Sequence, residues 1–594
     1  MKKNKIMALL LVVVMVAGAI GCAGNNNSQQ NSQATTNSQA TNNSQASGNS
    51  QASGNSQATG NSQQEASQPE QTPGASWEGK DPATITYFYD KSISTSDFDK
   101  WWGKDAVSKY IMEATNVNIE WQMAPDNDHT KLQMVIASTA LPDVITAERN
   151  LALMRDLVDN DMVWAINELQ TTAAPDFLAR NVPDHVQLQL RITFDSMNIY
   201  CLPCQWYSKE AITDPALIKS ANGVAVIQQI YEELGSPDTK TLDGFLDLLR
   251  QVKAKYPEMI PAQASRNAGT DADGNVRMIF KLFNMFDLAS RYDIIDGKYV
   301  KYFESPKFLD LLKFVNTLYT EKLMDPAELT DTSETMQAKL FNGMIFANLN
   351  QDSDNIDWFT DELQKVHPEW NWIMIDAPSA YEEQGIHYSA DGIGGGVGDS
   401  LNHFIIKNPN AERALQLMDF IFQDQTQFYI ARGMEDAWES YDEATGIAVL
   451  KPEVDKAEDA VKKGVYGVGA YWLWRNADIT ARHKKIGASD AQIFSLDHNT
   501  QYYKDYSFYS GAEQYPSGSN ENKIFSQVKE YYQTAVIDII MSDPSQVETK
   551  YQAMLTALEG LNQGTLDAWI DNYFQNKADI IAKYSEGLDL SYMQ

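Results

Sequence analysis

Residues 131–150 read KLQMVIASTALPDVITAERN, and this stretch decides the fold class. Leu132, Met134, Val135 and Ala137 form an apolar helix, and Leu141-Pro142 breaks it, because a residue before proline is pushed out of the helical region. Residues 143–146 then fit a short buried strand, with Glu148 and Arg149 just beyond its end. Helix, tight turn, strand, loop is the unit of an open α/β sheet. In such sheets ligands bind beyond the carboxyl ends of the strands, so Glu148 and Arg149 are candidate contacts as well as a plausible solvated ion pair.

Working outward, residues 84–90 (TITYFYD) alternate as a strand, 98–115 form a helix with Trp101 and Trp102 near its start, and 117–122 (VNIEWQ) form the next strand. The βαβαβ order predicts a parallel sheet with right-handed crossovers. Helices at 151–159 and 173–181 lead to a strand at 197–202, and the chain leaves the first lobe near Gln205, Trp206 and Tyr207. The second lobe is predicted to contain a helix at 224–234, a helix capped by Thr241, one at 307–322, one capped by Thr332, a turn into a buried strand at 343–347 and a strand at 370–375. Residues 392–397 and 403–406 return the chain, and 411–422 form an amphipathic helix.

The amino-terminal region predicts export. Lys2, Lys3 and Lys5 precede an apolar run over 6–20, the pattern of a secretory signal and too short for a comfortable membrane span. Residues 19–22 (AIGC) resemble a bacterial lipobox, with Ala19 in place of the usual Leu. That resemblance implies removal of 1–21 and lipidation of Cys22, and two acyl chains there suffice for stable anchoring. Residues 22–80 are then a lipidated cysteine and a linker rich in Asn, Ser and Gln, with too little apolar surface to offset the entropy of ordering. A flexible coil of about fifty residues has an end-to-end distance of about 40 Å. The lack of aromatics disfavours an aggregating tract.

A formal charge of −33 argues against nucleic acid or anionic lipid surfaces as partners. Cys201 and Cys204 are the only cysteines after Cys22, so no disulfide framework supports the fold, and the pair is read as a local disulfide or two buried thiols rather than a redox centre. Asp271, Asp273 and Asn275 match the opening of a calcium loop, but Gly274 falls too early and the distal Glu is missing, so an Asp-Gly hairpin turn competes. No cofactor is expected apart from this weak calcium candidate. The sequence has no GxSxG, HExxH or P-loop pattern.

The segments KLQMVIASTALPDVIT, NIYCLPC followed by IYEELGSPDTKTLDGFLDLL, then KLFNGMIFAN, FIIKNPNAERALQLMDFIF and ARGMEDAW resemble, in order and spacing, the landmarks of extracellular solute-binding proteins of family 1. These are lipoprotein receptors of ABC importers, often for oligosaccharides, and the resemblance covers roughly residues 81–575. It departs at Cys201–Cys204 and at Glu435-Asp436, where relatives tend to have glycines. It implies an α/β, two-lobe periplasmic-binding-protein-like fold of type II, with hinge segments and ligand between the lobes. Lobe 1 is expected at 81–205 plus about 396–445, and lobe 2 at 206–395 plus about 446–594. The expected protein is a monomeric, membrane-anchored, non-enzymatic receptor on the extracellular face of the cell membrane that delivers an oligosaccharide or other small solute to the permease subunits. The alternatives are a secreted lipid-anchored glycoside hydrolase, whose carboxylate spacing a sequence does not show, and a sugar-sensing or peptide-binding receptor of the same fold.

Sugars present apolar C–H faces rimmed by hydroxyls, so a sugar site combines aromatic platforms with planar hydrogen-bonding groups. The candidate ligand contacts are Tyr89, Asp90, Trp101, Trp102, Glu148, Arg149, Trp206, Tyr207, Asn350, Gln351, Asp352 and Trp438. The cluster Tyr471-Trp472-Leu473-Trp474-Arg475 fits a further platform or a packing face equally.

Overall fold

Strands form where apolar residues run without polar interruption or alternate with period two. Residues 84–90 extend to strand β1 (Ala83–Ser92), residues 117–122 to β2 (Val117–Ala124) and residues 143–146 to β3 (Val144–Glu148), which is buried along its whole length. Both β2 and β3 pair with β1 in parallel, as the βαβαβ order requires. The computed structural model describes residues 75–92, 98–125, 129–138, 140–149, 151–210, 222–264, 276–288, 291–352, 355–388, 401–477, 479, 489–490, 494, 511–516 and 518–593. The chain divides into Met1–Glu70, outside the described residues, and Gln71–Gln594, to which everything below refers. The predicted signal, Cys22, the linker to residue 74, the return at 392–397 and the calcium candidates Asp271, Asp273 and Asn275 also lie outside the described residues.

Two further strands complete the first sheet. They are β4 (Leu202–Pro203) and, much later in the chain, β12 (Leu401–Ile405), and the order is β2-β1-β3-β12-β4 with β12 antiparallel to both neighbours. A second sheet contains β6 (Asn222–Ile227), β7 (Ile260–Gln263), β10 (Ile345–Asp352) and β11 (Trp372–Ile375), in the order β11-β6-β10-β7. Here β6 is the antiparallel strand, set between β11 and β10. Each sheet therefore takes in, against its own direction, the first strand that follows a crossing from the other lobe.

The chain passes three times between the two cores, after Trp206 of the first and before Val224 of the second, after Tyr388 of the second and before Leu401 of the first, and again after Trp474 of the first, with Phe494 packed against the second. The first and third crossings start side by side, since β5 (Gln205–Trp206) pairs in parallel with β15 (Arg475–Asn476). One apolar core surrounds the first sheet and includes Phe88, Ile145, Phe404 and Trp474, and another surrounds the second and includes Val226, Phe245, Phe346 and Val536. A third cluster joins Leu188 and Ile192, on the helix Asp184–Phe194 between β3 and β4, to Tyr292 of the hairpin β8 (Tyr292–Ile295) and β9 (Lys298–Lys301) and to Ile570, Phe574 and Tyr584 from the later chain.

Several local expectations are corrected. The helix predicted at 98–115 is interrupted: Phe98–Trp101 ends, Gly103 takes φ +75°, and the Asp105 carboxylate caps a new helix, Ala106–Thr115, by accepting from the Ser108 amide at 2.9 Å. The helix predicted at 224–234 is β6 followed by Gln228–Glu233, because a short continuous apolar run does not tell buried strand from buried helix. The helix predicted at 173–181 is two, Ile166–Ala173 and Phe177–Asn181, and the strand predicted at 197–202 shrinks to β4. The lobe boundary at about 446 also moves: Leu450 and Val454 pack with Ala437, and Ala470–Trp474 belong to the first core, so the first lobe keeps the chain up to the third crossing.

Candidate functional site

The two sheets direct their carboxyl-terminal edges toward the crossings. In the first, Tyr89 and Asp90, Ala124, and Glu148 with Arg149 end the three parallel strands, and β12 enters at that edge with Leu401 opposite Glu148. In the second, β10 ends at Asp352 opposite Asn222, where the first crossing arrives. Ligand-binding groups are expected at both edges.

On the first edge Asp90 is buried, with Oδ2 at 2.7 Å from His129 Nδ1, and Oδ1 has no hydrogen-bond partner among the described residues. Glu148 is buried at the last position of β3 and Arg149 is half-buried beyond it, close enough for its charge to oppose the effect of burial on Cys201, whose thiol is pushed up to about 12 by desolvation. The pair is thus part of the lobe rather than a solvated loop.

The aromatic candidates divide. Tyr89 is fully buried beneath Phe98 and Trp472, edge-on to both at 5.1 and 6.0 Å. Trp102 is only 8% exposed, packs edge-on to Trp121, Tyr471 and Trp474, and donates to Asn118 at 3.2 Å. Trp206 is 5% exposed, its ring edge-on to Phe422 at 4.6 Å, and Tyr207 is buried beside it. These rings are core in this conformation. Trp101 is half-buried against Gly464, where a Cβ would come within 2.6 Å of the indole. Trp438 is half-buried on the hairpin β13 (Trp438–Asp442) and β14 (Ile447–Leu450), stacked on Tyr441 at 5.7 Å with its Nε1 donating to the Arg432 carbonyl, and its ring also meets Phe428 and Tyr429.

One ring was left undecided by the sequence. In the 471–474 turn Tyr471, Leu473 and Trp474 are fully buried while Trp472 is half-buried, beside Tyr89 at the end of β1 and shortly before the pair Arg475–Asn476 that enters the third crossing. Trp472 is the aromatic ring of the first edge best placed to present a face.

The second edge supplies amides. Gln351 is buried, its Oε1 accepting from Asn348 Nδ2 at 2.7 Å, and half-buried Asn350 donates to the Lys281 carbonyl at 3.4 Å. Asp352 is held by its backbone pairing. Sequence reading missed Gln263 at the end of β7 and Asn284, both buried, the latter with Nδ2 unpartnered among the described residues. Neither has a motif; only the register of β7 against β10 brings Gln263 beside Asn348. Among the described residues no group of three or more His, Cys, Asp or Glu is placed to hold a metal ion, and no helix is long and apolar enough to cross a membrane.

Most of the chain superimposes on solved proteins. The Streptococcus pneumoniae ABC-transporter substrate-binding protein FusA, an EF-hand mutant in complex with fructo-nystose, aligns with a TM-score of 0.58 at 16% identity, over 84% of this chain and 100% of that one. The fold is that of the extracellular solute-binding proteins. The solute-binding fold recurs in the alginate-binding protein AlgQ2, without calcium ion, at TM-score 0.54 and 17% identity over 88% of this chain and 100% of that one. It recurs again in the S. pneumoniae N-glycan transport protein NgtS in complex with Man1GlcNAc, at 0.52 and 14% over 83% of this chain and 100% of that one. No protein-family model and no curated protein matches the sequence. The two-lobe α/β fold is the one that the resemblance in the sequence implied.

Proposed function

We propose that this protein is the carbohydrate-capturing component of an ABC importer, a family 1 solute-binding lipoprotein that closes its two lobes over an oligosaccharide and delivers it to the permease. The observation that carries the reading is the meeting of two carboxyl-terminal sheet edges at three crossings, one edge furnished with a half-buried indole and carboxylates, the other with amides. That combination suits a sugar: an indole covers a C–H face, and Asp, Asn and Gln take paired hydrogen bonds from hydroxyls. FusA and NgtS, with the same fold, are described in complex with fructo-nystose and Man1GlcNAc, which supports an oligosaccharide over a peptide. Cys22 carries the lipid anchor, the Asn-, Ser- and Gln-rich linker that follows it is the leash, and the protein works as a monomer without catalysis.

The test is a thermal-shift screen of the purified protein against neutral oligosaccharides, monosaccharides, uronates and short peptides, with and without calcium. A ligand at one hundred times its dissociation constant stabilises the folded state by about 2.7 kcal/mol. The expected result is a shift with an oligosaccharide that mass spectrometry recovers intact. Recovery in fragments would replace the receptor by a glycoside hydrolase, and a shift with calcium alone would assign a cation to the region of Asp271, Asp273 and Asn275.

A further inference from the structure

The turn that presents Trp472 is tied to the first sheet by a closed ring of buried polar bonds. His403, on β12, has its Nε2 at 3.0 Å from the Leu473 carbonyl, which accepts and so fixes the proton on that nitrogen. Nδ1 is then the acceptor, with the Tyr87 hydroxyl at 2.6 Å and the Thr146 hydroxyl at 2.8 Å. The Tyr87 oxygen in turn accepts from Trp474 Nε1 at 3.1 Å. On the other side of Trp472 the Tyr471 hydroxyl donates to the buried Asp105 carboxylate at 2.6 Å, and Asp105 is itself held by the Ser108 amide and hydroxyl at 2.9 and 2.5 Å.

Three of the four residues of the turn are therefore pinned by buried hydrogen bonds, and the fourth is the indole at the sheet edge. A well-packed apolar core of the same volume would be as stable or more so, whereas a fully satisfied polar network fixes one geometry. We propose that His403, Tyr87 and Trp474 form a positioning relay that holds Trp472 as a rigid platform for the ligand. What the platform meets rests on the carbohydrate reading above; the relay itself does not.

The test uses the full-length protein labelled with 5-fluorotryptophan, the Trp472 fluorine resonance being the one that disappears in Trp472→Phe. Tyr87→Phe removes only the hydroxyl that joins Trp474 to His403, and His403→Leu removes both the acceptor for Tyr87 and the donor to Leu473. The expected result, without ligand, is one narrow Trp472 line that moves and broadens or splits in both variants, while the lines of Trp370 and Trp372 in the other lobe stay in place. A Trp472 line unchanged in Tyr87→Phe, the conservative variant, would overturn the relay even if stability fell. Titration with kestose then reads function: Tyr87→Phe is expected to weaken binding about fivefold in the wild-type background and not at all in Trp472→Ala. Equal losses in both backgrounds would also overturn it. Absence of kestose binding to the wild type would count against the carbohydrate reading and leave the ligand-free result to decide the relay.

Discussion

Acidification from pH 6.5 to pH 5 is expected to weaken the fold through two histidines. His403 is fully buried and desolvation holds it down to about 3, with the Leu473 carbonyl pulling the other way; His185 is buried against Tyr592, and desolvation holds it down to about 4. In the unfolded chain each titrates near 6.5. Between pH 6.5 and 4 each histidine binds more proton in the unfolded state than in the native one, so its contribution to stability rises with pH across that window and is lost as pH falls. For two groups the slope approaches two protons, and from pH 6.5 to 5 each histidine removes about 1–2 kcal/mol. That is a large share of the roughly 5–15 kcal/mol that holds an ordinary domain. Urea unfolding at half-unit pH steps gives the slope directly, and comparison with His403→Gln and His185→Gln isolates each contribution from the carboxylates. Each replacement is expected to flatten the slope by about one proton. A slope identical in wild type and His403→Gln over this window would refute the assignment of a buried neutral imidazole.

Other expectations concern separate parts of the molecule. Glu304 acts in the opposite sense: burial and the neighbouring Asp567 carboxyl raise it to about 8, so from about pH 4.3 to 8 the native state holds a proton that the unfolded chain has released, and this group's contribution to stability falls as pH rises; Glu304→Gln removes that opposing slope in the same urea series. Gly467→Ala is expected to lower the unfolding free energy by at least about 2 kcal/mol, since φ is +73° and the new Cβ would lie 2.5 Å from Asp105 Oδ1 and 2.7 Å from Val107; an unchanged urea midpoint contradicts the packing. In a Cys22→Ala background Ellman's reagent is expected to find no reactive thiol in the native protein and two after unfolding, as Cys201 and Cys204 are buried free thiols against Asn402 and His403. Deleting residues 585–594 removes the Glu586 carbonyl from Arg191, the Asp589 amide from Asp184 and the Tyr592 hydroxyl from His185, and is expected to lower the melting temperature by several degrees.

The parallel sheet was legible because TITYFYD, VNIEWQ and the LPDVIT run carry their own period and punctuation. The Thr241 and Thr332 caps were legible for the same local reason, and each accepts the expected amide. What failed locally was tertiary: Val224 to Ile227 could be strand or helix until β10 and β11 closed on it from both sides. The site was less legible than the fold. Aromatic residues near strand ends are equally good core, and Trp102 and Trp206 went inward because neighbouring rings cover them. The pinning of Trp472 depends on Tyr87, His403 and Asp105, hundreds of residues apart in part, and no local pattern joins them. The two cysteines illustrate the same limit. Their spacing allowed a bridge, but neighbouring residues of β12 receive them, Asn402 against Cys201 and His403 against Cys204, and adjacent residues of a strand face opposite sides of the sheet.

Capture between two lobes is tested most directly by hydrogen–deuterium exchange with and without the oligosaccharide returned by the screen. The expected result is slowed exchange in peptides covering residues 89–92 and 471–476 of the first lobe together with 348–352 of the second, saturating with one equivalent. Protection confined to one lobe, or lying away from both sheet edges, would contradict the account.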